Sequence, residues 1–240
     1  MRAMMRTTLG LLTAAALVSV SGAARAQGGA GKDGYADEQH RNDCRLAHQV
    51  LTAGEPANKR DWALETIPSC GVLGGEALAA MLLAHRGDAA ADDELDALVQ
   101  ASVNLRDATL FRAGLQVAGD ATAGDAARVA GWQVVHAQLT GVYPPVTASE
   151  DDGPQAGSML ATAPPAWGLA LPADRDTLAR AVADRALASP DTPLAVRELA
   201  DHLVAALDLQ AQVLRVCGPS GTLADEACEN AVAADDQANP

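Results

Sequence analysis

Apolar residues recur along this chain at intervals of three and four positions, the spacing of one face of an α-helix. Within residues 93–104, Leu95, Leu98 and Val99 lie on one such stripe. No convincing segment alternates apolar and polar residues as a half-buried β-strand does. Small or helix-capping residues stand at the edges of the periodic segments. The pattern predicts helices over residues 37–53, 57–68, 74–85, 93–104, 107–118, 123–139, 174–188 and 192–214.

Composition supports the same fold class. Alanine and leucine dominate, and the aromatic residues number one Phe, two Tyr and three Trp. A core with so few large side chains has to be built from close-packed helices with small contact residues, whereas β-sheets favour aromatic and β-branched residues. We therefore predict an all-α fold of antiparallel helical hairpins, stacked as a short array or as an irregular helical bundle.

The N-terminal residues 1–26 have the pattern of a secretory signal peptide. Positive charge in MRAMMR precedes the 12-residue apolar run LGLLTAAALVSV, and SGAARA places Ala24 and Ala26 in the A-x-A spacing of a cleavage site. No later stretch approaches 18 uninterrupted apolar residues, so no membrane insertion is predicted. We expect an exported protein, periplasmic or extracellular, that is cleaved near Ala26.

The chain is strongly acidic. Cleavage after Ala26 removes three arginines and no acid, which changes the formal charge from −14 to −17. A protein of this charge repels nucleic acid and anionic membranes, so no nucleic-acid partner is expected. The charge is compatible with a cationic partner, although solubility alone explains it better.

Export would place the four cysteines where disulfides persist. The segment from Cys44 to Cys70 reads as a helical hairpin that turns near residues 54–57, with the two cysteines equidistant from the turn and each on an apolar stripe. We therefore predict a Cys44–Cys70 disulfide. By elimination Cys217 pairs with Cys228 across a glycine- and proline-containing loop.

Residues 141–173 contain many prolines and glycines and are predicted to be a long loop or linker. Trp167, after two prolines, is the residue in this loop that could anchor it onto a groove. The organisation that follows has six parts, namely a signal peptide (1–26), a disordered start (27–36), an N-terminal array of helical hairpins (37–140), the loop (141–173), a C-terminal helical hairpin with a disulfide loop (174–230) and a disordered tail (231–240).

Three segments share the order of a helix end, a short polar turn and a second helix with an arginine near its start. They are AGEPANKRDWALETI, AGDATAGDAARVAGWQVV and LASPDTPLAVRELADHLV, and their second helices begin about 65 residues apart. In the third segment, Asp191, Val196, Arg197, Ala200 and Leu203 follow a recognisable second-helix signature. At these residues the sequence resembles the HEAT-repeat family of α-solenoids.

The resemblance implies roles for these positions. In HEAT repeats the aspartate and arginine form ladders between stacked repeats, which assigns Asp191 and Arg197 to a repeat ladder. It also implies that Val196, Ala200 and Leu203 are core residues. Stacked hairpins of this kind commonly serve in protein interaction.

The sequence contains few candidates for catalytic residues or metal ligands. Each of the five histidines stands alone on a predicted helix or its edge, and none has zinc-site or metalloprotease spacing. The best acidic cluster follows His85 and could bind a divalent cation, but a solvated loop with a helix-capping aspartate explains it better; it contains Asp88, Asp92, Asp93, Glu94 and Asp96. A second acidic patch, SEDDG at residues 149–153, has the same interpretation. We predict no catalytic residue, no metal site and no cofactor.

Three functional hypotheses remain from the sequence. The first is an exported helical-repeat protein that acts as a protein-interaction or scaffold module without a catalytic site, with an unknown protein partner. The alternative is an envelope enzyme or small-ligand binder with a site under the loop 141–173. A third is an exported structural protein with no specific ligand. The chain is more readily explained as a non-enzyme, because no catalytic group can be nominated.

Overall fold

The computed structural model describes five stretches of the chain. The predicted signal peptide, the predicted disordered start and the acidic patch at 149–153 lie outside them, as does most of the predicted loop. Residues 37–42 form the first turn of a helix, and the unit that begins at Asp43 contains the rest of the described chain. The described residues are 37–54, 56–87, 92–141, 166–223 and 225–238.

These residues are almost entirely helical, which confirms the all-α prediction. Two strands of two residues each, β1 Leu105–Arg106 and β2 Ala166–Trp167, pair in parallel. Short 3₁₀ turns cover Ala57–Lys59, Ile67–Ser69 and His85–Gly87. Within the described chain the helices are α1 Glu38–Ala53, α2 Arg60–Thr66, α3 Val72–Ala84, α4 Asp92–Val103, α5 Ala108–Ala118, α6 Asp125–Thr140, α7 Arg175–Ala188, α8 Leu194–Cys217 and α9 Glu226–Ala238.

The helix boundaries differ from the sequence prediction by up to three residues, and two of the differences have a local cause. The predicted helix 57–68 is a short α-helix between two 3₁₀ turns, the second of which contains Pro68. Helix α3 begins two residues earlier than expected because Gly71 adopts a φ of 56°, a left-handed conformation that glycine enters at low cost. This glycine reverses the chain abruptly after Cys70.

Helix α9 was not predicted, and residues 231–240 were expected to be disordered. The structure instead continues α9 to Ala238, so the expected tail is helical over most of its length. Its apolar pattern is weak, and only Cys228 and Val232 are buried along the helix. The helix packs against α8, which supplies the stabilisation that its own sequence lacks.

The hydrophobic core lies between two helical hairpins. Helices α5 and α6, joined by residues 119–124, pack against each other, and α7 and α8, joined by residues 189–193, pack against this pair. Phe111 and Trp132 are the largest side chains in this cluster. Where α5 crosses α6, a Cβ on Gly131 would lie 2.8 Å from the Ala118 nitrogen, so the two backbones approach closely at small residues. The predicted hairpins 37–140 and 174–230 therefore share one core.

Helix α8 contains the residues that carried the HEAT resemblance. Val196, Ala200 and Leu203 are buried in the shared core, as that resemblance implied. Beyond Leu207 the helix is largely exposed, and its last turns pack against α9.

Both predicted cysteine pairs are at disulfide distance. The Cα atoms of Cys44 and Cys70 are 5.4 Å apart, and those of Cys217 and Cys228 are 5.6 Å apart. The first pair is buried and joins α1 to the residue after the α2 segment, which is α2 with its two flanking 3₁₀ turns, residues 57–69. The second pair joins the end of α8 to α9. Among the described helices, none combines the length and the apolar character that crossing a bilayer requires.

Candidate functional site

The two short strands bring together segments that are distant in sequence. Residues Leu105–Arg106 connect α4 to α5, and they pair with Ala166–Trp167, at the end of the predicted loop. The Gly168 N–H donates to the Arg106 carbonyl at 2.8 Å, and the Ala108 N–H donates to the Leu169 carbonyl at 2.9 Å. The chain from 166 to 169 therefore follows β1 to the start of α5.

The buried carboxylate of Asp107 holds together the start of α5 and the segment 166–169, a region called the junction below. Asp107 is the N-cap of α5, and its Oδ1 accepts the N–H groups of Thr109 at 2.7 Å and Leu110 at 3.1 Å. Its Oδ2 accepts the Leu169 N–H at 2.6 Å. A fully buried carboxylate requires several donors, and these three backbone groups supply them. One side chain therefore caps a helix and fixes the returning segment.

Two glycines leave room for this carboxylate. A Cβ on Gly75 of α3, or on Gly168, would come into direct collision with the Asp107 carboxyl group. Any other residue at either position would have to displace Asp107 from its hydrogen bonds. The space around the carboxylate is therefore built from α3 on one side and from the 166–169 segment on the other.

Gln138 of α6 completes the buried polar group. Its Oε1 accepts the Asp107 N–H at 2.9 Å, and its Nε2 donates to the carbonyls of Ser102 at 3.0 Å and Leu105 at 2.9 Å. Both ends of this buried amide are thus hydrogen-bonded. The bonds join α6 to the end of α4 and to β1.

The neighbouring Arg106 is only 7% exposed. Its Nη1 donates to the carbonyls of Val103 at 2.9 Å and Leu105 at 2.7 Å, so it satisfies a carbonyl at the C-terminus of α4. Burial lowers the pKa of this guanidinium from its ordinary value. Within the described chain it forms no ion pair with a carboxylate, and its role there is to cap the helix end.

The accessible part of this junction is apolar. Trp167 is 65% exposed, Leu169 48% and Val72 38%. Val72 is grouped with them because it follows Gly71, where an added Cβ would lie 3.0 Å from the Trp167 carbonyl oxygen. These three residues, Val72, Trp167 and Leu169, are called the Trp167 surface below.

The sequence assigned Trp167 a possible anchoring role. In the structure the end of the loop is anchored by the backbone of residues 166–169 and by Asp107, and the indole ring remains exposed. Asp107 was missed because the predicted helix began at residue 107, which placed this N-cap inside the helix. An aspartate directly before an apolar helical pattern was the signal that could have identified it.

A second cluster involves residues of the best acidic segment. The Glu94 Oε2 accepts from Arg60 Nη2 at 2.9 Å and lies 2.6 Å from His85 Nε2. This cluster joins α2, the turn after α3 and α4. Among the described residues, no three His, Cys, Asp or Glu side chains are placed to hold a metal ion together. Asp88 lies outside the described residues.

The remaining predicted residues are dispersed. Asp191 is exposed before α8, and the Arg197 Nε donates to the Thr192 carbonyl at 3.2 Å. Within the described chain these two residues form no ion pair with each other, and a ladder between repeats stays a prediction. His136 and His202 were interpreted as isolated, but their ring centroids are 5.5 Å apart across α6 and α8. No local signal in the sequence connects them.

The described residues of the junction can present a surface, but they offer solvent no reactive group. Asp107 and Gln138 are buried and hydrogen-bonded, and what reaches solvent is apolar. Residues 142–165 lie outside the described chain, so a site under the loop 141–173 stays a prediction. In comparisons with known proteins, no family model, no curated protein and no solved structure matches this chain.

Proposed function

We propose that this chain is an exported helical-repeat protein that acts as an interaction or scaffold module, without a catalytic site of its own, and binds a protein partner through the Trp167 surface. The observation that carries this proposal is a 65% exposed tryptophan on a backbone held by Arg106 and Asp107. Tryptophan, with tyrosine and arginine, is enriched among the interface residues that dominate binding energy.

The hydrogen-bonded backbone around Trp167 distinguishes it from an ordinary exposed residue. When a mobile loop becomes ordered on binding, the lost entropy weakens the binding. Here the hydrogen bonds of Gly168 and Leu169 order the backbone when the protein folds, before any partner binds. Leu169, two residues along the chain, and Val72, which follows the glycine beside the Trp167 carbonyl, are further exposed apolar residues at this place. A partner that covers the Trp167 surface would gain apolar burial with little loss of loop entropy.

Two further observations support the wider proposal. The burial of Val196, Ala200 and Leu203 agrees with a HEAT-like hairpin at residues 189–203. The two cysteine pairs at disulfide distance fit an oxidising compartment, and therefore the proposed export. Asp191 and Arg197 are proposed as ladder positions toward a neighbouring repeat.

The test is photocrosslinking in the exported fraction from position 169, where a photoreactive residue replaces Leu169 and leaves Trp167 intact. The control carries the same residue in place of Leu214, which is 50% exposed on α8. We expect one stoichiometric partner from position 169 and not from position 214, and we expect Trp167→Ala to abolish it. The same products from both positions, or no effect of Trp167→Ala, would overturn the proposal.

A further inference from the structure

A groove of about 410 Å³ runs between α2 and α4, on helices that do not contribute to the Trp167 surface. Its floor is apolar and is formed by Leu64 and Pro68 from the α2 segment and by Ala97 and Ala101 from α4. Leu64, Pro68 and Ala97 are half-buried, so their side chains remain accessible from the groove. The small residues on α4 open a space that one apolar side chain of a partner can enter.

One rim of the groove is acidic and uncompensated. Asp61 and Glu65 are four residues apart on α2 and therefore lie on the same helix face, where like charges repel. Both are exposed, and neither forms an ion pair within the described chain. A cation bound between them would relieve this repulsion.

The two basic residues that precede Asp61 in sequence make contacts of their own. Arg60, next to Asp61, donates to Glu94 at 2.9 Å. The Lys59 ammonium lies over the Trp62 ring, 5.8 Å from its centroid. Neither basic residue lines the groove or pairs with Asp61 or Glu65 in the described chain, so an external cation can bind the acidic rim.

The opposite rim provides amides. Gln100 and Asn104 stand four residues apart near the end of α4, both exposed. The Gln100 Nε2 donates to Asp96 at 2.8 Å, which leaves its carbonyl oxygen as an acceptor. Side-chain amides at this spacing can bond the backbone of an extended segment laid along the groove.

We infer that the groove between α2 and α4 is a docking site for a cationic peptide segment in which an apolar residue is flanked by lysine or arginine. The apolar residue occupies the floor, and the cation lies between Asp61 and Glu65. The net charge of −14 steers such a segment toward the protein. This inference goes beyond the Trp167 surface and does not depend on it.

The test is fluorescence anisotropy of the oxidised protein with a short labelled peptide of alternating lysine and leucine. The same peptide with glutamate in place of lysine is the charge control. We expect the lysine peptide to bind and the glutamate peptide not to bind. The double variant Asp61→Asn/Glu65→Gln removes the charge without changing shape, and Ala97→Leu fills the floor; each should raise Kd about tenfold.

A matched double variant, Glu198→Gln/Asp201→Asn, makes the same change in net charge at two exposed positions of α8. This control and Trp167→Ala should each leave Kd within about twofold of the unmodified protein. Absence of binding, equal weakening by both double variants, or no effect of Ala97→Leu would each overturn the inference. Crosslinking from position 169 in the Ala97→Leu variant tests the Trp167 surface separately, so the two proposals can fail independently.

Discussion

The carboxylate of Asp107 accepts the backbone N–H of Leu169 at 2.6 Å, across 62 positions of sequence, while its other oxygen caps helix α5. A single buried side chain therefore couples the stability of a core helix to the order of the Trp167 surface. Because the bond is made to backbone, it constrains the path of the chain without using the indole.

Removal of the Asp107 carboxylate should destabilise the folded protein. Asp107→Ala loses the N-cap and leaves three backbone donors, one of them buried and two part-buried, without their acceptor, and we expect the free energy of unfolding to fall by about 3 kcal/mol. Urea unfolding measures the change. Asp174→Ala is the matched control, because Asp174 is the N-cap of α7 but makes no capping bond there. Equal losses in the two variants would contradict a special role for Asp107.

The glycines beside Asp107 give a steric prediction. Gly75→Ala lies within α3, where alanine is ordinarily the better helix former, yet the collision with Asp107 should lower the free energy of unfolding by about 2 kcal/mol. In an Asp107→Ala background the added cost should shrink, since the colliding group is gone. Gly87→Ala, with open space around its Cβ, is the control. Additive effects of the two substitutions would argue against direct contact.

The exposed tryptophan should matter for binding and not for folding. Because Trp167 is 65% exposed, Trp167→Ala should change the free energy of unfolding by no more than about 0.5 kcal/mol. Trp132→Ala, in the core, should cost about 3 kcal/mol or more. Thermal and urea unfolding of both variants measure the difference. A large loss at position 167 would indicate that the ring packs in the folded protein.

The two cysteine pairs should stabilise to different extents. The Cys44–Cys70 bridge spans 26 positions and the Cys217–Cys228 bridge spans 11, so the chain-entropy relation assigns about 3.5 and 2.8 kcal/mol to them. Paired serine variants test these values by urea unfolding. Loss of the second pair should also expose α9 to protease, because only Cys228 and Val232 of that helix are buried. A non-reducing peptide map with crossed pairs would refute both assignments.

Asp120 should stabilise the folded protein at neutral pH and lose this effect at acid pH. Hydrogen bonds from the Thr122 hydroxyl and backbone N–H lower its pKa below 3.8, and the charges of Arg86 and Arg128 act in the same direction. A carboxyl whose pKa is lower in the folded state stabilises it above the unfolded pKa, and that contribution is lost as pH falls through the folded value.

Comparison of unfolding across pH for the unmodified protein and Asp120→Asn measures this contribution. The difference in stability should be constant above about pH 5 and should vanish below the folded pKa. Asp201→Asn, at an exposed position of α8, controls for general charge effects. A difference that persists unchanged at low pH would show that Asp120 does not act through ionisation.

The sequence by itself determined the parts of this protein that depend on neighbouring residues. The helices around Leu95, Leu98 and Val99 follow from periodicity, since each residue fixes its face relative to others three and four positions away. The pairing of Cys44 with Cys70 follows from the same geometry, because a hairpin with a central turn brings its two ends level. The burial of Ala200 and Leu203 agrees with what the resemblance at residues 189–203 implied, and that resemblance rests on a local run of residues.

Only the tertiary structure decided the arrangement around Asp107. Its partners Leu169 and Gln138 lie 62 and 31 positions away, and no local spacing specifies which buried donors will meet a carboxylate. Helix α9 was likewise decided by packing, because its own apolar pattern is too sparse to predict it. Local periodicity sets which residues face inward, whereas long-range hydrogen bonds and the close approach of glycines depend on how complete elements meet.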